Sequence, residues 1–119
     1  PHRVPLSDQA LYILSQIERK GEYVFARSAG SHISLETPRV VLQKKVGHGT
    51  MHGFRSTFRD WTAEQGFDRT LAEKSLMHAT GNEVEQAYQR SDLLEQRRPI
   101  MQAWADAVCP LDAIKRCVR

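Results

Sequence analysis

Apolar residues recur along most of this chain at helical spacing. Leu11, Leu14 and Ile17, with Ala10 and Ile13 beside them, form a stripe between Ser7, a capping residue type, and Gly21, a helix-ending one. Val4-Pro5-Leu6 reads as extended, and the β-branched and aromatic run Tyr23-Val24-Phe25 predicts one short buried strand. Residues 26–35 are rich in Ser, Gly and His and read as a loop. A helix is expected from Pro38 through Val41, Leu42 and Lys45, ended by Gly47-His48-Gly49. The next spans about 52–65 and is closed by Gly66, with Met51, Phe54, Phe58 and Trp61 as its buried stripe. Thr70 and Glu73 form a capping-box pattern before a short helix ending near His78. Asn82 and Glu85 repeat that pattern for a short helix carrying Tyr88. Asp92 and Glu95 open a last helix with Leu94, Met101, Trp104 and Val108; Pro99, inside it, should kink it or start a new one. Pro110 stops that helix and leaves residues 110–119 as a short basic C-terminal tail. The pattern predicts a mainly α fold of about five to six helices with one or two short strands, without internal repeats.

Composition narrows the class. At 119 residues, 40% hydrophobic and 26% charged, the chain has the make-up of a single globular domain or part of one. Membrane-spanning, collagen-like and disordered classes do not fit, and no secretory leader pattern opens the chain. Two cysteines, Cys109 and Cys117, are too few for a disulfide scaffold, and their spacing is not that of a metal finger; free thiols in a reducing cytosol are expected. The chain begins at Pro1, without an initiator methionine, in an extended-looking stretch, which suggests a piece of a larger domain.

The net charge of +3 conceals an asymmetry. From Thr37 to Arg59 there is no acidic residue, while Arg39, Lys44, Lys45, Arg55 and Arg59 are all basic. Such a patch suits an anionic partner such as a phosphate backbone, although a solvated face would look the same. Within it His52, Arg55 and Arg59 share one helical face. Arginine offers a fork of donors to phosphate, and histidine exchanges a proton near neutrality. Further on, His78 lies at a helix end and Tyr88 follows ten residues later. Tyr88 shares a face with Val84 and reads either as a half-buried core tyrosine or as a nucleophile in an electropositive pocket. His48 and His52 are four apart, but flanking glycines put His48 in a loop, so no metal site is expected. Phosphate-binding glycine loops and a serine-nucleophile elbow are absent.

Together these stretches resemble the tyrosine recombinase (phage integrase) family, in particular prophage integrases that insert at tRNA genes. The resemblance rests on Val4-Pro5-Leu6-Ser7 with Gln9-Ala10-Leu11, on Met51-His52-Gly53-Phe54-Arg55-Ser56-Thr57-Phe58, on Leu76-Met77-His78, and on the run from Val84 through Tyr88 to Pro99. It implies the C-terminal part of that family's mixed α/β catalytic domain, with the whole of 1–119 a partial catalytic domain. Arg55 would match the second catalytic arginine and clamp the scissile phosphate. His52 would match the histidine of the same motif, and His78 the third-motif histidine, a further phosphate donor. Tyr88 would match the nucleophile that forms a 3′-phosphotyrosine link. Arg59, Lys44, Lys45 and Arg39 would then contact flanking DNA. Neither cofactor nor metal is implied. The implied partners are double-stranded attachment sites and, on them, a homotetramer, in the bacterial cytoplasm.

The resemblance has gaps. The family's first arginine motif, T-G-x-R-x-G-E, is not present, and its hairpin lysine would precede Pro1. Ala79 stands where the family often has lysine after the histidine. On this reading the polypeptide alone is expected to recombine DNA barely or not at all. A non-catalytic helical nucleic-acid-binding module and a plain helical interaction domain remain as competing readings.

Overall fold

A computed structural model describes residues 2–27, 30–78 and 91–118. Among them the chain forms six helices and no strand: α1 (Asp8–Ser15), α2 (Thr37–Lys45), α3 (Met51–Glu64), α4 (Arg69–Ser75), α5 (Leu94–Val108) and α6 (Leu111–Cys117). The fold is mainly α, as the apolar spacing requires. The expected helix around Tyr88 lies outside the described residues.

The core sits where α3, α4 and α5 meet. Phe58, Ala72 and Ile100 are buried there, one from each helix, with Phe67, Leu71, Leu76, Met101 and Trp104 packed around them. Trp104 is the aromatic hub. Its ring meets Phe58 edge-on at 5.5 Å and Trp61 at 5.1 Å between centroids. The apolar stripe of α3 is buried only in its second half. Phe58 is 5% exposed, but Met51 and Phe54 are 46% and 55% exposed, because the apolar core formed with α4 and α5 includes Phe58 and neither of the other two.

The corner between α3 and α4 is set by caps. At the end of α3, the Phe67 N–H donates to the Thr62 carbonyl and the Gly66 N–H to that of Ala63, with Gly66 at φ 74°. This Schellman turn needs a left-handed residue, which glycine supplies without strain. Asp68 then caps α4, its Oδ1 accepting the Leu71 N–H at 3.0 Å. The cap is therefore Asp68 rather than Thr70: Thr70 lies inside the first turn, and the carboxylate two residues earlier reaches that turn's free amide.

The N-terminal segment runs against α5 and α6. Ser7 caps α1 as expected, its Oγ accepting from Ala10 N at 3.2 Å. That helix ends at Ser15, well before Gly21, and Leu11 and Ile13 remain exposed. What α1 buries is Gln9, 3% exposed. Gln9 Nε2 donates to Asp106 Oδ1 at 2.6 Å, and Gln9 Oε1 accepts from Gln102 Nε2 at 3.0 Å. Arg3 grips Asp92 with two parallel hydrogen bonds, at 2.7 and 2.8 Å. Beneath them the fully buried Arg97 donates from Nη2 to the Arg3 carbonyl at 2.7 Å, while its Nε and Nη1 find no partner among the described residues.

Other expectations change. Tyr23-Val24-Phe25 is exposed and forms no strand; the nearest regular feature is an isolated antiparallel bridge between Ala26 and His32. A strand needs a ladder, and the pairing here stops at that bridge, with the Arg27 N–H donating to the Ser31 carbonyl at 2.7 Å and the Ile33 N–H to that of Phe25 at 3.2 Å. Helix α5 passes through Pro99 as one element. Early in the helix, proline removes a single intrahelical hydrogen bond, and the Ile100 face holds the following turns in the core. Pro110 ends one helix and starts another: residues 111–117 are not a loose tail but α6, whose Ile114 is buried as it packs against α1.

Candidate active site

Helix α3 begins where Thr50 Oγ1 accepts the Gly53 N–H at 2.9 Å. This cap places His52 in the first turn, exposed, with Arg55 one turn on and Arg59 a turn beyond. Arg55 is half-buried. Its Nη2 crosses to α4 and donates to the Leu76 carbonyl at 2.5 Å. Leu76 is the C-terminal cap of α4, where carbonyls are left without intrahelical partners and the helix dipole is negative. A guanidinium satisfies both conditions, and its remaining N–H groups stay available to an anion.

Helix α4 ends in a second Schellman turn. The His78 N–H donates to the Glu73 carbonyl at 2.9 Å and the Met77 N–H to that of Lys74 at 3.2 Å. Met77 takes the left-handed position, at φ 57°, that Gly66 takes after α3. A left-handed non-glycine residue costs about 1–2 kcal/mol. The turn nonetheless puts His78 two residues past the carbonyl that Arg55 holds, so both sit on one helix terminus. His78 Nδ1 lies 2.5 Å from Glu73 Oε2.

The other basic residues are arranged less tightly. Arg59 borders an open cavity of about 380 Å³ with Arg69 and Glu73. Lys44 and Lys45 close α2, which packs beside α3. Arg39 pairs with Glu36, the residue just before α2, at 2.5 Å and reaches Gln43 at 3.3 Å. Such exposed pairs contribute at most about 1 kcal/mol and leave the guanidinium free to exchange partners. Tyr88 lies outside the described residues. C-terminal to it, Lys74 Nζ donates to the Ser91 carbonyl at 2.6 Å, and Arg3 holds Asp92.

Of the expected residues, the structure brings Arg55 and His78 to one turn and sets His52 on the same face of α3 as Arg55. Two participants were not marked by the sequence pattern. One is the Leu76 carbonyl, which no side-chain motif reveals. The other is Glu73, which the pattern assigns to a capping box. Among the described residues no group of three His, Cys, Asp or Glu side chains could hold a metal, and no helix is long and apolar enough to cross a membrane.

Arg55 and His78 thus meet at one helix terminus within a small α domain. Comparison with known proteins gives the class. The profile of the phage integrase family matches residues 1–95, and the chain belongs to that family. It is 40% identical over 119 residues to the prophage integrase IntA of Escherichia coli strain K12, covering 94% of this chain and 29% of that protein. It is 32% identical to the integrase of Shigella phage Sf6, over 88% of this chain and 29% of the relative. With the integrase of Enterobacteria phage P4 it shares 33% identity over 88% of this chain and 26% of the relative. The chain thus spans under a third of the length of these relatives. No solved structure matches it at a significant level.

Proposed function

We propose that residues 1–119 are the C-terminal part of the catalytic domain of a tyrosine-type site-specific recombinase, acting on double-stranded attachment sites. The observation that carries this reading is the α4 terminus, where Arg55 and His78 meet. Arg55 extends its remaining guanidinium donors to the non-bridging oxygens of the scissile phosphate. His52 and His78 add further hydrogen bonds to the same group. Arg59, Lys44, Lys45 and Arg39 contact the flanking backbone, giving a salt-dependent, sequence-independent share of the affinity.

Tyr88 is the nucleophile. Its phenolic oxygen forms a bond to phosphorus as it loses its proton, and the bond from phosphorus to the 5′-oxygen breaks. The departing oxygen takes a proton and becomes a free 5′-hydroxyl. One phosphodiester replaces another, so religation by a new 5′-hydroxyl needs no cofactor and no nucleotide. Catalysis then consists of positioning and of stabilising charge on the phosphate. The active assembly is a homotetramer on DNA.

The experiment compares wild type with Tyr88→Phe in an intact recombinase carrying these residues. Both should bind an attachment-site duplex equally, and only wild type should form a covalent adduct. Equal binding without an adduct in either would support a non-catalytic nucleic-acid-binding module instead.

A further inference from the structure

Glu73 grips His78 twice, by its main-chain carbonyl to the His78 N–H at 2.9 Å and by its carboxylate to the imidazole Nδ1 at 2.5 Å. The Glu73 residue is 8% exposed, in a place where a carboxylate loses most of its hydration. Its remaining charged surroundings are sparse. Arg69, on α4, brings Nε to 4.0 Å of Oε1 but is itself 92% exposed. From α3, Arg59 and Asp60 border the same cavity. A buried carboxylate so placed depends on its histidine partner.

We propose that Glu73 is a positioning residue of the recombination site, fixing the ring orientation and the tautomer of His78. The inference rests on the reading of His78 as a phosphate ligand. An ionised carboxylate only accepts hydrogen bonds, so Nδ1 carries the proton in this pair. Nε2 is then the nitrogen left for DNA, and no described residue occupies it. In the cationic ring Nε2–H donates to a non-bridging oxygen; in the neutral ring Nε2 accepts. Without Glu73 the ring would rotate about its side-chain bonds and divide between tautomers. A carboxylate bonded to one ring nitrogen prevents both. The backbone bond adds precision, since the same residue fixes where the ring is attached and how it is turned.

Two measurements test this. Nitrogen-15 NMR on the 119-residue chain reads the His78 tautomer directly and requires no activity. The Nδ1–H form is expected in wild type and a mixture of tautomers in Glu73→Gln, with native helix content in both. In an intact recombinase, Glu73→Gln should slow adduct formation at saturating DNA by about 10- to 100-fold, as loss of such outer partners does elsewhere. Its affinity for the duplex should be unchanged, and Glu73→Asp should recover part of the rate. An Nε2–H tautomer in wild type, or a Glu73→Gln rate equal to wild type while Tyr88→Phe abolishes the adduct, would overturn the inference and leave the recombinase reading standing. Absence of any adduct in wild type would count against the recombinase reading, and the tautomer would still decide the Glu73–His78 pairing.

Discussion

Arg55 of α3 donates its guanidinium to the carbonyl of Leu76 at the end of α4, at 2.5 Å. That one bond fastens the two helices that carry the histidines and the arginine of the site. Removing the guanidinium leaves a part-buried carbonyl without its partner, at a cost of about 1–3 kcal/mol. Arg55→Ala should therefore lower the urea midpoint of the chain as well as phosphate affinity. Lysine keeps the charge but not the fork, so Arg55→Lys should recover stability better than it recovers DNA cleavage. Urea titration of both variants checks the first part, and adduct formation in an intact recombinase the second.

Met77 sits at φ 57° with its side chain 67% exposed. Glycine in its place relieves the left-handed strain while giving up little packing, although it also frees the unfolded chain. The net expectation for Met77→Gly is stabilisation by about 0.5–1 kcal/mol, a rise of a few degrees in Tm for a domain of this size. Calorimetry showing a fall in Tm would mean that the Met77 side chain contributes packing the strain does not outweigh.

Gln9 is buried and fully engaged with Gln102 and Asp106. Gln9→Leu keeps the volume but strips two polar partners of α5 of their bonds. Gln102 is only half-buried and Asp106 exposed, so water replaces part of what is lost and the cost should be about 1 kcal/mol, read by chemical unfolding. The double variant with Gln102→Leu should cost less than the sum of the two single changes, because the second removes a group that the first leaves unpaired.

The Arg3 guanidinium holds the Asp92 carboxyl below its ordinary value of 3.8, chiefly by its hydrogen bonds. A carboxyl lowered in the folded state stabilises fully above its unfolded value, and that contribution disappears as pH falls through the lower folded value. Attachment of the N-terminal segment to the start of α5 should therefore survive at neutral pH and loosen only below about pH 4. Carboxyl-carbon NMR of Asp92 through an acid titration should show the lowered midpoint. In Arg3→Gln the midpoint should return toward 3.8.

Much of this was legible in the residues, and the rest was hidden for definite reasons. Ser7 and Gly66 act locally, through capping, and the structure uses them as the pattern requires, whereas of the four-residue stripe on α3 Phe58 and Trp61 pack inward and Met51 and Phe54 stay exposed. The strand at Tyr23-Val24-Phe25 failed because its pairing with residues 31–33 stops at a single bridge, and the length of a ladder is not encoded in local composition. Asp68 was passed over for Thr70 because both precede an apolar run, and the choice turns on backbone angles. Within the site, Arg55 and His78 were marked by type and spacing. Glu73 was not, since a five-residue separation is no helical period and joins the pair only once α4 ends in its left-handed turn.

The central claim is that the chain supplies a tyrosine nucleophile to DNA. A nicked attachment-site substrate, which traps the covalent step, tests it most directly with an intact recombinase carrying these residues. After trypsin digestion, mass spectrometry should find DNA linked through its 3′-phosphate to the peptide of residues 75–90, at Tyr88, with a free 5′-hydroxyl on the released strand. A linkage at another residue, a 5′-phosphate linkage, or an adduct persisting in Tyr88→Phe would contradict it.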